Sequence, residues 1–168
     1  YVVGESAPAK GEASPIEARI DRATGSVFIK RKDAMGGITL KPVSGVVPSG
    51  PATLREGSIV YPVAGDLAVV LTPTKSGLKE DIVLAAPRGD EIAFAWELTI
   101  PENMEARLER GRVNVYGPAS YLSGNIQIGD EKSRLLIEKA RKNAKKTDLM
   151  YSLPAPVVLQ ADGKPAPG

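Results

Sequence analysis

EIAFAWELTI, residues 91–100, alternates without a break. Ile92, Phe94, Trp96, Leu98 and Ile100 fall on one side of an extended chain, and Glu91, Ala93, Ala95, Glu97 and Thr99 on the other. Successive side chains of a strand point to opposite faces, so this pattern reads as a strand with one face in a core. The aromatic pair Phe94 and Trp96 should anchor that face.

Short segments of the same kind surround it. IEARI (16–20), GSVFIKRK (25–32) and GGITLKPV (36–43) lie upstream, with KDAMGG (32–37) as a hairpin connection whose glycines supply positive φ. VVPSGPATLREG (46–57) reads as a loop. SIVYPVAGDLAVVLTP (58–73) gives two strands broken at Ala64-Gly65-Asp66, and LKEDIVLA (78–85) gives another. MEARLER (104–110) and RVNVYG (112–117) straddle Gly111 as a hairpin, and MYSLPAPVVLQ (150–160) is a β segment broken by prolines.

One segment departs from this rhythm. GDEKSRLLIEKARKNAKK (129–146) predicts a helix: Asp130 is a natural N-cap, Glu131 sits in the first turn, and a Lys/Arg cluster meets the negative end of the helix dipole. Leu135, Leu136, Ile137, Ala140 and Ala144 supply its apolar stripe, which would cover an open end of the β core. The expected architecture is mainly β: an antiparallel β-sandwich-like domain over 16–160 with one inserted α-helix at 130–146. A flexible arm (1–15) and a tail (161–168) flank it, and a subdivision into two sub-domains is expected near 46–57.

Composition excludes much chemistry. The 168 residues contain no Cys and no His, so neither a Ser-His-Asp nor a Cys-His nucleophile system, nor a His/Cys zinc site, can be built within the chain. Carboxylate pairs, a Ser-Lys dyad or an oxygen-liganded cation survive that test. Ser76 beside Lys75 and Lys79 has no catalytic spacing, and Asp66, Asp81, Asp90, Asp130 and Asp162 form no D-x-D-x-D-G loop. GSIVYPVAGD lacks the spacing and the following helix of a phosphate loop. The expectation is a protein without catalytic residues, cofactor or metal. The 22 basic and 20 acidic residues leave a net charge of +2, well short of a dedicated nucleic-acid binder. No run approaches the ~18–20 apolar residues of a membrane span. Opening on Tyr1 without an initiator Met, the chain reads as a processed product or an excised fragment.

Two groups of residues stand out. Lys79, Glu80 and Asp81 interrupt an apolar strand, where alternation puts Glu80 on the face of Leu78, Ile82 and Leu84. A carboxylate there needs a partner, expected to be an Arg or Lys on a neighbouring strand, so the triplet reads as a structural ion pair that fixes register. Lys139, Lys142, Lys145 and Lys146 at the basic helix end, with Tyr116 and Tyr121 just before it, form a possible polymer-binding surface.

YPVAGDLAVVLTPTKSGLKEDIVL, FAWELTIPENMEARLERGRVNVYG and YSLPAPVVLQADGKP together resemble a β-rich region of large secreted bacterial proteins, the wall-associated and RHS (YD-repeat) family. The shared order is a Tyr-containing strand, a GLKE-x-IVL strand, an F-x-F-x-L-type strand, an ARL…G hairpin and a PAP…D-x-x-G close, over residues 58–117 and 150–164. The resemblance implies a non-enzymatic extracellular module of a larger surface polypeptide. Its matched positions (Gly77, Leu78, Lys79, Glu80, Ile82, Val83, Leu84, Pro154, Pro156 and Gly163) are strand and turn positions. The helical stretch 119–148 departs from the family pattern as an insertion, and no YD repeats follow.

The functional expectation is a structural or assembly module at a bacterial surface, acting through edge strands and arms on other protein domains or copies of itself. The alternative is a carbohydrate- or anionic wall-polymer-binding module using the basic helix and exposed tyrosines. An enzyme built on Glu80 and Asp81 is a distant third.

Overall fold

The computed structural model describes residues 16–75, 77–86, 93–119, 129–160 and 163–164. Among these are eleven strands, arranged in three antiparallel sheets, and one helix. Among the described residues the protein is mainly β, with a sandwich-like fold and one helix. The arm 1–15 and nearly all of the tail 161–168 lie outside the described residues.

Two compact units divide the chain between Pro101 and Glu102. The subdivision expected near 46–57 is not where the contacts separate. Val46 is only 1% exposed within the core of the first unit, and Ala52 packs on that core.

The first unit holds two four-stranded sheets. One is ordered β1 (Ile16–Ile20), β2 (Val27–Arg31), β3 (Ile38–Ser44), β8 (Ala95–Thr99); the other runs β4 (Thr53–Arg55), β5 (Ser58–Pro62), β6 (Leu67–Pro73), β7 (Leu78–Leu84). The chain completes three strands of the first sheet, builds the whole second sheet as a meander, and returns β8 beside β3. β4 lies inside the segment expected to be a loop. Its three residues are all exposed, so no alternation marks it.

Alternation places the core. Ile59 and Tyr61 of β5 and Leu67, Val69 and Leu71 of β6 are buried with Ile20, Val27, Val46 and Val63, while Ile29, Leu78, Ile82, Phe94 and Trp96 pack around them. Both sheets feed one apolar cluster, which is what makes the unit sandwich-like. Tyr61 is fully buried, and its hydroxyl donates to the Asp21 carbonyl at 3.2 Å, joining the second sheet to the β1–β2 turn of the first. Burial pushes its phenol above the ordinary value.

Residues 93–100 alternate exposed and half-buried in the expected phase, with Phe94 and Trp96 on the inner side. Pro42 of β3, paired with Trp96, lies at a register shift between Pro42 and Ser44. A bulge is the place where an interior strand tolerates a residue without an N–H. The glycines of KDAMGG act differently from expectation, because neither has positive φ. Gly37 is required by close approach: a Cβ there would lie 2.5 Å from the Ile29 carbonyl oxygen and 2.6 Å from the Phe28 ring.

The second unit is a three-stranded sheet ordered β9 (Glu105–Glu109), β10 (Arg112–Pro118), β11 (Lys146–Leu153), with the helix α1 (Glu131–Asn143) between β10 and β11 in sequence. Asp130 caps the helix as expected, accepting from the Ser133 amide at 2.8 Å. The helix stops at Asn143, and Lys146 opens β11, so the helix is shorter than 130–146. None of its residues is buried. Its half-buried side is Ser133, Ile137, Arg141 and Ala144, whereas Leu135 and Leu136 are 56% and 61% exposed. The apolar stripe is therefore narrower than expected: at 100° per residue Leu135 falls on the charged side.

A candidate binding face on the three-stranded sheet

The hairpin at Gly111 sets a register that gathers polar residues. Arg112 pairs with Glu109, Asn114 with Arg107 and Tyr116 with Glu105, and across the other edge Ser152 pairs with Asn114. Directly paired residues share a face. Glu105, Arg107, Glu109, Arg112, Asn114, Tyr116 and Ser152 therefore lie together, while Val115 and Tyr151 are buried on the reverse face.

Two side-chain rungs cross all three strands. In the first, Arg107 on β9 grips both oxygens of Glu105 at 3.0 and 3.1 Å. Its guanidinium lies 4.6 Å from the Tyr116 ring centroid on β10 and donates to the Lys146 carbonyl on β11 at 3.1 Å. A planar fork that stacks and bonds bidentately is a task lysine cannot do. In the second rung, the Ser152 hydroxyl donates to Asn114 Oδ1 at 2.8 Å, and Asn114 Nδ2 donates to Glu109 Oε2 at 2.8 Å. The Tyr116 hydroxyl joins the rungs by donating to that same Oε2 at 2.7 Å.

The electrostatics follow from these bonds. The Arg107 guanidinium holds Glu105 below the ordinary carboxylate range. The Tyr116 hydroxyl, then the Asn114 amide, do the same for Glu109. Reciprocally, its bond to Glu109 pushes the Tyr116 phenol up. Both carboxylates stay ionised at neutral pH.

At the hairpin end, Glu109, Arg110, Arg112 and Asn114 line a half-open depression of about 750 Å³. Arg110 has φ 51 and Gly111 φ 74, the left-handed pair of a two-residue hairpin. Arg110 is near enough to help depress the Glu109 carboxyl through its charge, yet the bonds at Glu109 come from Tyr116 and Asn114. Neither the Arg110 nor the Arg112 guanidinium forms a hydrogen bond or ion pair among the described residues.

The expected polymer-binding residues are only partly gathered here. The Lys146 carbonyl takes the Arg107 bond and so adjoins the first rung, while its Nζ reaches back to the Lys142 carbonyl at 3.5 Å. Lys139 and Lys145 are exposed. Tyr116 is not the exposed aromatic expected: it is half-buried, covered by Arg107 and committed to Glu109. Tyr121 lies outside the described residues. Arg107, Glu109, Arg110, Arg112, Asn114 and Ser152 were not singled out from sequence.

The charged triplet of β7 also resolves. Lys79 and Asp81 pair at 2.9 Å on the outward side. Glu80 is not part of that pair, and its partner is not the expected Arg or Lys. The Trp96 indole, on the other sheet, lies near enough to oppose part of the rise in the Glu80 pKa. Glu80 keeps one side in solvent, but side chains crowd the other, and this desolvation, with a smaller contribution from Asp81, raises its pKa above the ordinary 4.5. Glu80 is therefore a crowded carboxylate and not a charged pair that fixes register.

No family model, curated protein or solved structure matches the chain. Among the described residues no helix is long and apolar enough to cross a membrane.

Proposed function

We propose that the protein is a non-enzymatic structural module that assembles through protein–protein contacts at the β7 edge of its first unit. The carrying observation is the asymmetry of that edge. Among the described residues β7 pairs only with β6. Its first half is guarded by the Lys79–Asp81 pair, whereas its second half presents Val83 and Leu84, 46% and 44% exposed. A guarded half resists unspecific pairing, and an apolar half with unused ladder groups accepts an added strand. Val157 and Val158, 71% and 70% exposed in the segment after β11, offer a second apolar surface of the kind an edge receives. The setting implied by the resemblance is a secreted or surface-exposed bacterial polypeptide, and the partners are copies of this chain or neighbouring domains.

Static light scattering over a concentration series tests the proposal. Mass should rise with concentration, and Val83→Lys should abolish the rise without altering the far-ultraviolet circular dichroism. A monomer at every concentration contradicts it.

A second reading, binding of an anionic polymer, is favoured by one observation: Lys139, Lys142 and Lys145, in and just after the last turns of the helix, are all exposed, and none forms an ion pair among the described residues. Replacing Lys142, Lys145 and Lys146 by Glu should then weaken retention on polyanion resin, and unchanged retention rejects that role for the helix end.

A further inference from the structure

We infer that the depression at the β9–β10 hairpin is a binding site for an acidic sugar, with Arg110 and Arg112 holding the sugar carboxylate and Glu109 accepting from a neighbouring hydroxyl. This goes beyond the second reading, sharing only its anionic class of ligand, by naming that ligand and by placing its seat at the hairpin and not at the helix end.

Three observations carry it. First, two guanidiniums line a depression of about 750 Å³ without a hydrogen bond or ion pair among the described residues. Guanidinium forks match the planar, bidentate geometry of a carboxylate. Second, the carboxylate beside them is already oriented. Both internal bonds to Glu109 fall on Oε2, at 2.7 Å from Tyr116 and 2.8 Å from Asn114, leaving Oε1 unbonded among the described residues. An acceptor beside two cations suits a ligand that carries an anion and hydroxyl donors together, as uronic acids do. A ligand that offered only negative charge would meet repulsion from Glu109.

Third, Arg110 occupies a strained position. A non-glycine residue at φ 51 pays for its left-handed backbone, and Asn is the side chain such a turn tolerates best. Keeping a long cation there costs the fold and puts a cationic residue in the lining of the depression. Strain of this sort collects at binding sites. The rungs behind it, through Asn114 and Ser152 to β11, hold Glu109 in place before any ligand arrives.

Isothermal titration of the whole chain with short oligogalacturonate tests the site, with neutral dextran and polyphosphate as controls. Oligogalacturonate should bind, dextran should not, and polyphosphate should bind more weakly. Arg112→Ala should weaken binding about tenfold, the loss expected for one charge-assisted contact. Arg110→Asn should weaken it similarly while raising the melting temperature, so loss of fold cannot explain loss of binding. The lysine-to-Glu replacements at the helix end should leave the affinity close to that of the parent.

Unchanged affinity in both arginine variants, with loss in the helix variants, would overturn the hairpin site and leave the second reading standing. A preference for polyphosphate would overturn the sugar assignment. Binding to no polyanion at all would overturn both.

Discussion

In the first unit the side chains that meet across strands are apolar: Ile59, Tyr61, Leu67, Val69 and Leu71, from two adjacent strands, are each 5% exposed or less. In the second unit the side chains that cross strands on the open face are Arg107, Glu109, Asn114, Tyr116 and Ser152, bonded in two rungs. The same antiparallel geometry thus serves two ends. Apolar burial provides stability and has no direction, whereas a bonded polar face provides little net stability but holds donors and acceptors in fixed positions. The contrast extends to the carboxylates. Crowding raises Glu80 in the first unit, and hydrogen bonds lower Glu105 and Glu109 in the second.

Leu71→Ala attacks the apolar side of this comparison. Leu71 is 2% exposed at the centre of the cluster, so its truncation should cost about 3 kcal/mol from lost transfer energy and cavity formation. The urea midpoint reads this, and a cost of a few tenths would show that the cluster is not the stabilising core. The two tight hairpins give a matched test of the next size. Glu56 and Arg110 both precede a glycine and both have positive φ, 48 and 51. Replacing either by Asn should gain up to about 1 kcal/mol by relieving the left-handed backbone. Only the Arg110 change should also lower affinity for the acidic sugar.

The carboxylates give opposite pH signatures. Glu80 has a raised folded pKa, so the native state holds its proton more tightly than the unfolded chain does. Its ionisation therefore removes stability as pH rises through the window just above 4.5. Glu80→Gln keeps the shape of the side chain and removes the charge. It should flatten that descent and gain a few tenths of a kcal/mol at neutral pH, solvent at the strand edge keeping the effect small. Urea titrations at several pH values check it, and an unchanged slope means the carboxylate is not desolvated. Glu109 has a lowered folded pKa, so its contribution is present above 4.5 and is lost as pH falls through the folded value. Tyr116→Phe removes the largest cause and should reduce that acid-side loss, the smallest of these effects. NMR titration of the Glu109 carboxyl should show its pKa moving toward 4.5 in the variant.

The strands were legible because alternation is a local signal. Phe94 and Trp96 faced inward as their spacing required, and the Ala64-Gly65-Asp66 break separated β5 from β6 as expected. β4 was not legible, since three exposed residues carry no period. The end of the helix was hidden for a related reason. Ala144 leaves helical geometry at ψ 143 with no glycine to mark it, so Lys146 passed for a helical lysine. The surroundings of Glu80 depended on strand order, because Trp96, the indole near its carboxylate, lies 16 positions away on the other sheet.

Half of the binding face was within reach of sequence. Once Gly111 is a hairpin, Glu105, Arg107 and Glu109 must face Arg112, Asn114 and Tyr116. The other half, Ser152 and the Lys146 carbonyl, arrives only because β11 returns beside β10 after the helix. No local pattern announces that return.

Hydrogen exchange at the backbone amides of β7, followed by mass spectrometry across a concentration series, tests most directly whether copies meet at this edge. Protection of the Ile82–Leu84 region should grow with concentration, and it should be lost in Val83→Lys. Exchange at β7 that is independent of concentration would contradict assembly through that strand.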